Sequence, residues 1–307
     1  MSTGLAAVLF VVSLAATLSA AAVFAARLDH LGEALGLPEG LLGLLTAAGA
    51  DAPELATAIA ALAAGEKSAG FGVVVGSNVF NIAAMIGVSA LLSGSVTLHR
   101  DALALEGGVA LGVTVIVVLL AFGAIPAWAA VALSLVLLVP YAVVAFRREL
   151  EERTHSGRLD ARVVLFIPPA LAVIVAGSIG MVHTGLQLGR AVGLPTVLVG
   201  VLVLAVVTSL PNAYTGVRLG LARRGSALVS ETMNSNTINL VGGLAIPALF
   251  VSVATTGLGR ADGIWLLAVT AVTLALLAPK GGVRRTGGAL LVASWVAFAA
   301  VQGVWGS

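Results

Sequence analysis

Residues 53–81, PELATAIAALAAGEKSAGFGVVVGSNVFN, and residues 211–239, PNAYTGVRLGLARRGSALVSETMNSNTIN, spell one polar pattern twice, 158 residues apart, inside otherwise apolar sequence. Aligned without a gap over these 29 positions, they share Pro53/Pro211, Thr57/Thr215, Ser77/Ser235, Asn78/Asn236 and Asn81/Asn239. Upstream, Gly36-Leu37-Pro38 matches Gly193-Leu194-Pro195, with one residue missing from the first copy. A repeat of this spacing divides the chain into two halves that carry the same polar groups at equivalent places.

The sequence around the repeat belongs in a bilayer. It is 59% hydrophobic and 10% charged, with a mean hydropathy of +1.10. A water-facing surface needs roughly a quarter charged residues, so a soluble domain is excluded. Ten apolar runs follow one another at 5–26, 38–64, 70–92, 103–122, 126–146, 162–182, 194–222, 227–252, 262–279 and 287–305. About 20 residues suffice to cross a hydrocarbon core of about 30 Å. The fold class is therefore an all-α polytopic membrane protein of ten transmembrane helices, with the lipid bilayer as its solvent. The net charge of +2 reflects loop arginines and not a nucleic-acid surface. No cysteine occurs, which excludes disulfides and thiolate metal sites.

Thirteen of the sixteen Lys and Arg residues fall in the loops after runs 1, 3, 5, 7 and 9. They are Arg27; Arg100; Arg147, Arg148, Arg153, Arg158 and Arg162; Arg218, Arg223 and Arg224; Lys280, Arg284 and Arg285. The opposite side holds Lys67, Arg190 and Arg260. The positive-inside rule places the basic side in the cytoplasm and both termini outside; the membrane itself is expected to be a prokaryotic-type inner membrane. Residues 1–4 carry no basic n-region, so the first run reads as a retained span.

One loop is strongly charged, residues 147–162 (RRELEERTHSGRLDAR). It separates a first five-helix repeat at 1–146 from a second at 162–307, with a cytoplasmic linker at 147–161. With five spans per half, spans 2 and 7 cross in opposite directions, and the repeat is inverted. That arrangement suits a secondary transporter with alternating access to a midplane site.

Glu54 is the most informative residue of that site. It follows Pro53 in the middle of span 2, where a carboxylate costs at least about 2.5 kcal/mol unless something compensates it. Pro53 has no N–H to give the Gly49 carbonyl, and Pro211 none for Val207, so both oxygens are left available. A carboxylate beside loose carbonyls suits a hard cation held by oxygen. Thr57, three residues on, shares the Glu54 face, and Asp51, three residues back, adds a second carboxylate. Spans 3 and 8 contribute Ser77, Asn78 and Asn81, and Ser235, Asn236 and Asn239. The Asn pairs at i,i+3 each send two amide oxygens one way. Gly70, Gly72 and Gly87 read as close helix packing.

The hexapeptides GADAPE (49–54) and GSNVFN (76–81), with VTSLPN (207–212) and NSNTIN (234–239), resemble the alpha repeats of the cation/calcium exchanger superfamily. Its members typically carry G-T-S-x-P-E and G-S-N-[IV]-[FL]-[ND] in each half. The resemblance implies an antiporter of Ca2+ against Na+ or H+, with ligands from spans 2, 3, 7 and 8 and with spans 1 and 6 sliding as a gate. It implies no cofactor beyond the transported cations. The metal-binding set it points to is Glu54, Asp51, Thr57, Asn78, Asn81, Thr208, Ser209, Asn212, Thr215, Asn236 and Asn239.

The departures concern charge. The family usually has a glutamate in both repeats, whereas Asn212 stands in the second here. Asn239 occupies a position where sodium-coupled members often place an aspartate. Ala50 and Asp51 replace the Thr-Ser pair that Thr208 and Ser209 keep. Glu231 reads either as a compensating ligand or as a charge near the cytoplasmic end of span 8. If Asp51 and Glu54 share one site, their two charges match a divalent ion, and close carboxylates also share protons. If Asp51 points elsewhere, a monovalent Na+/H+ exchanger is the better match. A transport-inactive regulatory membrane protein is the third reading. A membrane enzyme is disfavoured: no Ser/His pair, His-Glu-x-x-His run or paired aspartate motif occurs, and the four His stand at 30, 99, 155 and 183.

Overall fold

The structure, a computed structural model, describes residues 1–34, 49–98, 103–150, 161–253 and 258–305. These are almost entirely helical. In chain order the helices are α1 (Thr3–Ala34), α2 (Ala52–Ala63), α3 (Lys67–Ser93), α4 (Leu103–Ala121), α5 (Ala127–Leu150) and α6 (Ala161–Ala191). They continue as α7 (Thr196–Thr208), α8 (Leu210–Leu221), α9 (Gly225–Leu240), α10 (Leu258–Leu277) and α11 (Arg285–Trp305). A short antiparallel pair, β1 (Ser95–Val96) with β2 (Val283–Arg284), ties the loop after α3 to the start of α11.

Among the described residues, seven helices are long and apolar enough to span a membrane, or eight if the bent pair α7–α8 counts as one span. Hydropathy passes over α2 and α9 for separate reasons. Of the expected second span, residues 52–63 form α2, whose 12 residues are too few to cross a membrane, and residues 35–48, including the repeated Gly36-Leu37-Pro38, lie outside the described residues. The α9 sequence GSALVSETMNSNTINL is too polar. Residues 151–160 of the charged linker also lie outside the described residues.

Proline sets the breaks. Pro211 lacks the N–H that would bond the Val207 carbonyl, and its ring crowds that oxygen. The chain bends by 51° between α7 and α8, around Ser209 at φ −82°, ψ −2°. Asp51, 158 residues earlier and just ahead of Pro53, has φ −80°, ψ −9°. Both prolines then sit in the first turn of a new helix, where a missing donor costs nothing. The two restarted helices each run 12 residues and end 158 residues apart, at Ala63 and Leu221. The turns that follow need a left-handed residue: Gly65 at φ +81° in one, Arg223 at φ +57° in the other.

Burial locates the centre. In their most apolar stretches, 83% of α3 is buried, against 17% of α1. Long α1 and α6 pack on each other and leave Val8, Val11, Val12, Leu165 and Phe166 exposed, as lipid-facing surface requires. The core helix α3 crosses α7 backbone to backbone. A Cβ on Gly76 would lie 2.7 Å from the Val201 carbonyl oxygen, and one on Gly200 2.5 Å from that of Ala69. Small residues are what allow such an approach in a membrane. Helix α3 loosens into π-helical turns at Ile82–Gly87, and α9 is followed by a π-helical turn at Val241–Ala245, each just after the repeated asparagines.

Candidate cation site

The restarted helices aim their first turns at each other. Asp51 stands at the N-cap position of α2 and Glu54 in its first turn, while Ser209 and Asn212 hold the same places on α8. A helix N-terminus carries partial positive charge, which favours carboxylates there. Across these ends run α3 and α9, which face one another through Asn78 and Asn236. Each of these amides donates its Nδ2 to the other's backbone carbonyl at 3.1 Å. That reciprocal brace fixes the register of the two polar helices.

Every polar group around this centre is buried. The Asn212 amide bridges the two carboxylates: it donates to Asp51 Oδ1 at 2.8 Å and lies 3.4 Å from each Glu54 oxygen. Ser209 donates its hydroxyl to Glu54 Oε1, and Asn239 donates to Glu54 Oε2 at 2.6 Å. Ser235 donates to Asp51 Oδ1 at 2.6 Å and accepts from Asn212 at 3.2 Å and from Asn81 at 3.3 Å. The Asp51 and Glu54 carboxyls are themselves in hydrogen-bonding reach of one another. Both acids thus stand in one site.

Oxygen atoms are left over. Asp51 Oδ2, Asn81 Oδ1, Asn239 Oδ1, Asn78 Oδ1 and Thr57 Oγ1 are buried and have no hydrogen-bond partner. A buried polar atom without a partner costs about 1–3 kcal/mol, so such a concentration marks a place built for something else. Carboxylate, amide and hydroxyl oxygens are the donor set of a hard cation such as Ca2+. Two carboxylates also supply the charge that a dehydrated divalent ion needs.

The candidate residues divide. Asp51, Glu54, Asn81, Ser209, Asn212 and Asn239 meet in the cluster, and Thr57 is buried one turn beyond Glu54 on α2. Asn78 and Asn236 act as the brace. Thr208 is buried, but its hydroxyl returns to the Leu204 carbonyl of its own helix at 2.8 Å. Thr215 lies outside the cluster: it is exposed and bonds the Pro211 carbonyl at 3.1 Å. Glu231 is half-buried one turn before Ser235, and no hydrogen bond links it to the cluster among the described residues. Ser235, absent from the candidate ligands, stands at the cluster's middle. Its match to Ser77 in the repeat was the available signal, yet Ser77 only bonds the Val74 carbonyl of its own helix, at 3.0 Å.

Comparison with known proteins agrees with the motifs. The family model described as "Sodium/calcium exchanger protein" matches residues 5–148 and 163–304. The chain is 24% identical to the sodium/calcium exchanger MaX1 of Methanosarcina acetivorans, over 91% of this chain and 93% of that one. Its fold is similar to that of native YfkE, at TM-score 0.74 and 17% identity, covering 96% of this chain and 91% of the other. It is equally similar to the H+/Ca2+ exchanger CAX, at TM-score 0.74 and 14% identity, covering 98% and 86%.

Proposed function

Because the chain belongs to the sodium/calcium exchanger family, we propose that it is a secondary active antiporter whose cargo is Ca2+. The observation that carries this reading is the pair of buried carboxylates, Asp51 and Glu54, joined by the single amide of Asn212 and surrounded by unpartnered oxygens. Two negative charges in one desolvated site match a divalent ion. A lone Glu54 would have suited a monovalent one.

Protons are the counter-ion this geometry favours. Carboxyls within reach of each other take up protons in place of a cation, so the same two groups hold either Ca2+ or H+. Exchange follows when one occupant must leave before the other enters. The prolines, the 51° bend and the restarted helices would carry the site between two openings, with the exposed pair α1 and α6 moving over it. Counting α2 and α9 with the apolar helices supports ten spans in two inverted five-helix repeats, 1–146 and 162–307. The arginine distribution supports cytoplasmic placement of the 147–161 linker and external termini, and the archaeal relative supports a prokaryotic inner-membrane location.

The test is flux in proteoliposomes with radiolabelled calcium inside and either a proton or a sodium gradient across the membrane. Calcium efflux driven by inward protons, and electrode-detected proton movement driven by calcium, are the expected results. Drive by sodium alone would replace the proton reading with Na+/Ca2+ exchange. If calcium neither moves nor competes, the cargo assignment fails.

A further inference from the structure

Another carboxylate is buried outside the cluster just described. Asp262, in the first turns of α10, and Gln302, near the end of α11, are each 1% exposed. Gln302 Nε2 donates to Asp262 Oδ1. The remaining oxygen of each side chain, Asp262 Oδ2 and Gln302 Oε1, is buried and without a hydrogen-bond partner. The surroundings are apolar. The neighbouring Gly263 faces Val118 of α4 and Phe122 just past its end, with a Cβ there 3.5 and 3.9 Å from their side chains, and Leu266 one turn on is buried.

The two unpartnered oxygens pose a definite chemical problem. An ionised aspartate is acceptor-only, and so is an amide oxygen, so neither can satisfy the other. One proton solves it. With Oδ2 protonated, its O–H can donate to Gln302 Oε1 while Gln302 Nε2 donates to Oδ1, closing a cyclic acid–amide pair with no charge left in the bilayer. Charged side chains on the elements packed against α10 do not supply an alternative. Arg260, two residues away, holds its guanidinium over the Phe122 ring at 5.4 Å. Lys67 opens α3, Glu106 lies in the first turns of α4, and Arg284 and Arg285 stand at β2 and the start of α11. None of them reaches Asp262 Oδ2 with a hydrogen bond.

We infer that Asp262 is a proton-binding site, separate from the Asp51–Glu54 centre, in which a neutral carboxylic acid paired with Gln302 clasps α10 to α11. The clasp bears on the cation site through packing. Helix α11 lies against α3, which carries Asn78 and Asn81: Trp295 meets the Phe80 ring edge-on at 5.5 Å. A Cβ on Gly288 would come 2.6 Å from the Gly87 carbonyl oxygen.

The test is infrared difference spectroscopy on the full chain in lipid nanodiscs, calcium- and sodium-free at neutral pH. Asp262→Asn keeps the cyclic pair, because the new Nδ2–H replaces the acid O–H, and it should abolish one protonated-carboxyl C=O band while thermal unfolding stays unchanged. Gln302→Leu is the second variant, and it should shift that band to the frequency of a carboxylic acid without a hydrogen-bond partner. Retention of every protonated-carboxyl band in Asp262→Asn overturns the proposal, as does a band indifferent to Gln302→Leu. A sodium-dependent rise in melting temperature that Asp262→Asn removes would also overturn it, in favour of a cation site.

Discussion

Asn212 donates its side-chain amide to Asp51 Oδ1 at 2.8 Å, across the interface between the two copies of the repeat. Ser209 donates to Glu54 Oε1 across the same interface. At the 158-residue offset, Asp51 corresponds to Ser209 and Glu54 to Asn212, so these are one contact made twice. In both versions the first copy supplies the acid and the second the donor. Position 212 carries no acid, and the second carboxylate of the cluster stands at position 51, where the other copy has a serine.

This swap predicts a rescue. Asp51→Ser alone removes one charge and should abolish calcium uptake. Adding Asn212→Glu restores two carboxylates in the symmetric arrangement, and uptake should recover in part. Equal loss in the single and double variants, read by radiolabelled calcium flux, would show that the positions are not coupled.

Glu54→Gln should weaken calcium binding by roughly 100-fold, about 3 kcal/mol, the scale for removing one charge of a compensated buried group. Asp51→Asn should cost a similar amount. Isothermal titration with calcium measures both. A loss confined to Glu54→Gln would leave Asp51 outside the ion's coordination.

Proton competition has a fixed sign. On the proposed reading protons and calcium compete for the same carboxyls, so the apparent calcium Kd should rise as pH falls and level off at alkaline pH. In Asp51→Asn the dependence should flatten, since one of the two competing groups is gone. A Kd independent of pH in the wild type would exclude this competition.

Ser235 and Ser77 are sequence equivalents with unequal work. Ser235→Ala deprives Asp51 of one donor and Asn81 and Asn212 of an acceptor, and should destabilise the protein by about 1–3 kcal/mol. Ser77→Ala loses only a bond to the Val74 carbonyl within its own helix and should cost about 1 kcal/mol or less. Melting curves in detergent compare the two directly.

Gly200→Ala tests the α3–α7 crossing. Its Cβ would meet the Ala69 carbonyl oxygen at 2.5 Å and the Ala69 Cα at 2.9 Å, backbone that has no room to yield. A destabilisation of about 1–3 kcal/mol should follow. Gly108→Ala, which meets nothing within 4 Å, should be neutral or stabilising.

Much of this molecule was written locally. Apolar runs of spanning length, prolines that interrupt them, and a repeat carrying Glu54, Asn81 and Asn239 follow from hydropathy, backbone chemistry and residue spacing, which need no knowledge of distant contacts. The family motifs lie in the same segments. Hydropathy alone was least informative at α9, where the polar residues of GSALVSETMNSNTINL dilute the apolar signal.

Only the tertiary structure decided which side chains meet. Successive helix residues turn by about 100°, so the point at which each helix restarts, after Asp51 and after Ser209, determines which faces look inward. They bring Asp51 beside Glu54, and they leave Thr215 exposed although its equivalent Thr57 is buried. The crossing of α3 and α9, locked by the Asn78–Asn236 brace, sets Ser235 at the centre and turns Ser77 back on its own helix. A sequence lists the polar groups of two halves, but the pairing of acid with donor across them depends on how the halves pack.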